Sequence, residues 1–212
     1  MLEYIRAGGW MMGPIILASI VAVAIILERL WSLRASRIVP KHLLAQIYHL
    51  HKRGRLDYQA VMQLKDASPL GRVLSAGLLN AKHSREVMKE ALEETGRHVV
   101  HELERYLNTL GSIAAISPLM GLLGTVFGMI STFTVISSKG VGDPTAVAAG
   151  ISEALICTAS GLTVAIPALL FHRYFQRRIE ELVVMMEQHA LKLVEVMHGE
   201  RDATEEFEKN EP

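Results

Sequence analysis

Apolar and charged residues are not mixed along this chain; they fall in separate blocks. Trp10 to Leu27 (WMMGPIILASIVAVAIIL) carries no charge, nor does Leu110 to Ile136, and Ala146 to Phe171 carries only Glu153. Between them lie stretches crowded with Lys, Arg, Glu and His. A soluble domain interleaves the two kinds of residue at helix or strand period, whereas a membrane protein separates them. At 1.5 Å per residue the second and third blocks reach roughly 40 Å, enough to cross a hydrocarbon core of about 30 Å with some tilt. The first block is nearer the minimum, and a signal peptide is the competing reading. Its flanks oppose that: Glu3 accompanies Arg6 before it, Glu28 and Arg29 follow it, and there is no small-residue cleavage site. The pattern predicts membrane helices over 10–30, 110–136 and 146–171.

Lys and Arg set the direction. Fourteen lie from Arg29 to Arg105 and six from Arg173 onward, against Lys139 alone in the 137–145 connector and Arg6 alone ahead of the first block. Residues 1–9 and the 137–145 hairpin are expected on the periplasmic side, and 31–109 and 172–212 in the cytoplasm. In the middle region Lys41–Lys52 and Asp57–Asp66 read as short helices punctuated by Pro40, Gly54 and Pro69. From Ser84 there is no proline until Pro118, and Val99, Leu103, Leu107 and Leu110 recur at helical spacing. That predicts one long helix from Ser84 into the second membrane segment. Ile179, Val183, Met186, Ala190, Leu193 and Met197 form a heptad-like stripe, so the third segment is expected to continue as a cytoplasmic helix. The last residues are an acidic tail. The resulting fold class is an all-α membrane protein with three transmembrane helices, the second and third extending into a cytoplasmic helical bundle.

Composition narrows the function. Among 212 residues, 22 Lys and Arg balance 22 Asp and Glu, so no global field argues for nucleic acid. Cys157 is the one cysteine and forms no intrachain disulfide. His98 and His101 stand at i, i+3 without a carboxylate–histidine signature, so neither metal nor cofactor is expected. No phosphate loop or nucleophile elbow is present, which argues against an enzyme. There is no internal repeat of the carrier type. Three spans do not enclose a pathway, so the chain is either a scaffold or assembles around one.

Gly121, Thr125, Gly128 and Thr132 share one face of the second segment, with Gly124 beside them. Gly150, Ala154, Thr158, Gly161, Ala165 and Ala168 share a face of the third. Small residues at this spacing let helix backbones approach closely in lipid. The threonines have two readings: a hydroxyl bonded to its own helix, or one lining a wet cavity. Glu153 lies near the outer end of the third segment. Carboxylates in membranes face a bundle interior, pair or carry protons; here the alternatives are an interhelical or snorkelling carboxylate and a proton group. Pro118 and Pro167 leave the carbonyls of Ala114 and Thr163 without their usual helical donor.

SPLMGLLGTVFGM (Ser117–Met129) followed by GISEALICTASGLTVAIPA (Gly150–Ala168) resembles the MotA/TolQ/ExbB proton-channel family. Three spans, the opening GGWMMGP and the ERLWSLR after the first span resemble its ExbB and TolQ branches. The resemblance implies a homo-oligomer, a pentamer, in the inner membrane of a Gram-negative bacterium. Its second and third spans would surround the single-span helices of an ExbD- or TolR-like dimer, whose aspartate carries the proton. The complex would drive a TonB- or TolA-like protein. The resemblance makes Thr125 and Thr158 the hydroxyls facing that aspartate, and gives Glu153 the family's acidic position, as a structural, gating or relay residue. Thr132, Ser160 and Thr163 are additional polar candidates; Ser160 and Thr163 make this span more polar than is usual in the family. Two rivals stand beside this reading: a non-conducting oligomeric scaffold and an independently gated ion channel.

Overall fold

A computed structural model describes residues 8–40, 42–52, 57–139 and 144–198. The expectations for residues 1–7, for Gly54, for 140–143 of the hairpin and for the acidic tail lie outside the described residues. Within them the elements are helical: α1 (Met12–Ser32), α2 (Ala35–Ile38), α3 (Leu43–Lys52), α4 (Tyr58–Ala67), α5 (Pro69–Leu79), α6 (Arg85–Leu103), α7 (Leu107–Lys139) and α8 (Pro144–Met197). The apolar blocks lie in α1, in the helical run that contains α7, and in α8, all long and apolar enough to cross a membrane. At 21 residues α1 spans about 31 Å.

The chain divides into two compact units. One comprises the described parts of Met1–Leu30 with Tyr106–Phe175; the other comprises those of Trp31–Arg105 with Gln176–Pro212. The second unit is built on capped helices. The side chains of Asp57, Ser68 and Ser84 accept the backbone N–H of Ala60, Gly71 and Val87, each satisfying a donor left open at a helix start. Pro69, which reads in the sequence as punctuation, instead opens α5. At the first helical position its missing N–H costs nothing and its fixed φ suits the helix. Leu70, Leu74, Met88, Val99, Leu182 and Leu193 are fully buried in this unit. Arg72 on α5 donates two hydrogen bonds to the Glu102 carboxylate on α6, at 2.9 and 2.7 Å.

The single helix expected from Ser84 is interrupted. Glu104–Tyr106 form a turn, and Tyr106 adopts φ 65°. Leu103 is buried ahead of the turn, and Leu107 and Leu110 are buried after it. No glycine or proline marks the break. The Tyr106 ring instead lies under the buried Arg29 guanidinium, 5.6 Å from its centroid. A cation–π contact from α1 accompanies a left-handed backbone that a non-glycine residue otherwise avoids.

Candidate functional site

The site is built on the close passage of α7 and α8. A Cβ on Gly161 would lie 2.5 Å from the Ser117 carbonyl oxygen and 3.1 Å from the Gly121 Cα. One on Gly121 would lie 2.9 Å from the Cys157 carbonyl oxygen and 3.0 Å from the Thr158 Cα. Gly128 faces Ala154 and the Gly150 carbonyl in the same way, Gly124 abuts the Cys157 side chain, and Gly150 leaves room for the Thr132 hydroxyl. The two backbones therefore touch along several turns. Dispersion, not the hydrophobic effect, drives such association in lipid, and removing side chains is what permits it.

The candidate hydroxyls of α7 and α8 divide into two kinds. Thr158 donates across the seam to the Gly121 carbonyl at 3.3 Å. Thr125, Thr132 and Thr163 donate within their own helices, to Leu122, Gly128 and Ala159, at 2.6, 2.9 and 2.7 Å. Thr132 is buried, Thr125 and Ser160 are half-buried, and Thr163 is exposed. A hydroxyl that donates to a carbonyl keeps its lone pairs, so each of these oxygens remains able to accept a proton donor.

Glu153 is half-buried at the Thr132–Gly150 end of this seam. Its carboxylate meets the turn before α1: a Cβ on Gly9 would fall on it. One turn further along α8, the Cys157 thiol donates to the Gly8 carbonyl at 2.8 Å. Met11, Met12 and Cys157 form a buried cluster here, flanked by Ile16 and Ile156. Sequence reasoning missed this N-terminal contribution because Gly8 and Cys157 are 149 residues apart. It also missed Ser117 and the inner-boundary contact of His172. Ser117 is buried, and its hydroxyl has no hydrogen-bond partner among the described residues. Ser117 precedes Gly121 by four, so extending the small-residue row one step back would have found it. The His172 ring packs over Gly111, where a Cβ would lie 3.0 Å from its Cε1, and its buried Nδ1 is unpartnered among the described residues. Among those residues no three His, Cys, Asp or Glu gather as a metal site.

Comparison with known proteins places this geometry. Residues 65–188 match the model of the MotA/TolQ/ExbB proton channel family. An ExbB-like biopolymer transport protein of Synechocystis sp. is 32% identical over 95% of this chain and 97% of its own length. Biopolymer transport protein ExbB of Salmonella typhimurium is 34% identical over 60% of each chain. Tol-Pal system protein TolQ of Pseudomonas aeruginosa is 40% identical over 39% of this chain and 36% of its own. The matched region contains both α7 and the membrane part of α8, whose small-residue seam carries the hydroxyls, and the chain belongs to the MotA/TolQ/ExbB proton channel family, in its ExbB/TolQ branch.

Proposed function

We propose that this chain is the multi-pass inner-membrane subunit of a proton-motive-force-driven motor. Copies assemble as a pentamer around the single-span helices of an ExbD- or TolR-like dimer, and the complex energises a TonB- or TolA-like protein. Thr125 and Thr158 meet the proton-carrying aspartate of that dimer, Glu153 contributes at the outer end, and Thr132, Ser160 and Thr163 add polar surface. Residues 1–9 and 137–145 face the periplasm; 31–109 and 172–212 face the cytoplasm. The observation that carries this reading is the α7–α8 seam, where a hydroxyl and a carboxylate are retained among glycines and alanines inside a membrane segment. Intramembrane polar groups of this kind are costly and mark ion pathways.

The test is the native mass of the purified protein, alone and co-expressed with a single-span partner, together with proton flux in vesicles. A pentamer that gains two partner chains and conducts only with them supports the motor. Conduction without any partner would favour an independently gated channel. One observation favours a non-conducting scaffold: the hydroxyls of Thr125, Thr132, Thr158 and Thr163 all have backbone acceptors. Thr158→Val keeps the shape and removes the hydroxyl; energised transport that survives it supports the scaffold, as does a native complex that forms with its partner but conducts no protons.

A further inference from the structure

The turn that leads into α1 is shaped around α7 and α8 in a way the seam itself does not require. Gly9 has φ 65°, in the left-handed region that glycine enters without a Cβ penalty. A Cβ at Gly9 would collide with the Glu153 carboxylate, so the turn's backbone lies directly on the acid. The Gly8 carbonyl accepts the Cys157 thiol at 2.8 Å. The Trp10 ring meets Phe127 of α7 edge-on, with centroids 5.3 Å apart. Met11 is buried against Cys157. Residues Gly8 through Met11 thus each meet α7 or α8, and the one that meets the carboxylate is the one without room for a side chain.

We infer that Gly9 is a positioning residue for Glu153. Its bare backbone lets the turn seat on the carboxylate, and the seated turn shields that face of the acid, and Cys157 behind it, from bulk water. The consequence for transport rests on the proton-path reading: a carboxylate covered on one side exchanges protons through its remaining open side. Lifting the turn exposes the acid and uncouples that exchange.

Cys157 is the chain's single cysteine, so its thiol reports on the seat without engineering. Labelling by a membrane-impermeant maleimide is followed in vesicles containing the full chain co-assembled with its single-span partner, with detergent-denatured protein as the fully reactive control. Native protein labels slowly. Gly9→Ala labels well over tenfold faster: left-handed strain on a non-glycine residue accounts for about tenfold, and the collision with the carboxylate adds the rest. Glu153→Asp, added to Gly9→Ala, shortens the acid and relieves the collision but not the strain, and brings the rate back severalfold toward native. Gly9→Asn serves if Gly9→Ala fails to assemble, because asparagine tolerates the left-handed backbone while its side chain still meets the carboxylate. Native labelling rates in the Gly9 variants overturn the inference. So does a fast rate indifferent to Glu153→Asp, which would assign the effect to strain alone. Proton flux is read in parallel. Labelling that follows the expected pattern in a complex that conducts no protons leaves the seat standing and removes the proton-path reading. Raised labelling with unchanged flux overturns the transport role given to Gly9.

Discussion

The two halves of α8 wear opposite surfaces on one continuous backbone. Between Ile151 and Leu170 the buried positions are small: Ala154, Cys157, Gly161, Ala165 and Ala168. The large apolar side chains point outward there, with Leu155 65% and Leu170 64% exposed. Beyond Phe175 the order reverses. Ile179, Leu182, Met186, Leu193 and Val194 are buried, while Arg177, Glu180 and Glu187 are exposed. The surrounding solvent accounts for the reversal. In water, removing a leucine from solvent is itself the driving force. In lipid that gain vanishes, so the interior goes to residues that let backbones touch.

The comparison can be broken from either side, and the largest effect belongs to the water-facing core. Leu74→Ala in α5, where the side chain is fully buried, is expected to cost about 2–5 kcal/mol through lost transfer energy and a cavity. Thermal unfolding of the purified protein reads it, and the exposed Leu155→Ala is the control that should move little. Equal effects at Leu74 and Leu155 would refute the outward placement of Leu155.

Next comes the seam. Gly161→Val places methyl groups where the Ser117 carbonyl and Gly121 backbone already sit, and overpacking of this kind costs about 1–3 kcal/mol. A lowered melting temperature in detergent, with α7 and α8 easier to separate by limited proteolysis, is the expected result. Thr158→Val removes only the hydroxyl that crosses to Gly121, and a loss of about 0.5–1.5 kcal/mol follows from one hydrogen bond. A chevron or thermal scan able to resolve that difference separates its structural part from any change in proton flux.

The smallest effect is expected at the surface of the water-facing unit. The side-chain hydrogen bond from Arg72 holds the Glu102 carboxyl below its ordinary range, although burial works in the other direction. A depressed folded-state value means that the stabilisation is complete above the unfolded carboxylate range and is lost as pH falls through the folded value. Both side chains are more than a third exposed, so screening keeps the pair near the surface value of about 0.2–1 kcal/mol. Glu102→Gln should flatten the acid limb of the stability curve slightly, and raised salt should shrink the difference between the two proteins.

Much of this architecture was legible because lipid and water sort residues over long stretches. Three apolar blocks, charged only at Glu153, marked the three helices long and apolar enough to cross a membrane, the 179–197 stripe foretold the extension of α8, and the small-residue rows named the faces that meet. The local signals were less complete. Pro69 reads as punctuation because the same residue stops one helix and starts another, and Ser68 as its cap decides which. The turn at Tyr106 had no local mark at all; its companion, Arg29, is on a different helix.

The same division runs through the site. Sequence alone determined that a carboxylate and several hydroxyls sit in membrane segments among glycines, since hydropathy and helical period are properties of neighbours in the chain. Only tertiary structure decided which hydroxyl crosses the seam, that Ser117 is buried without a partner among the described residues, and that Gly9 lies on Glu153. Those outcomes depend on the distance between backbones that are remote in sequence. A period of three or four residues says which face a side chain occupies, but not which other helix that face will meet.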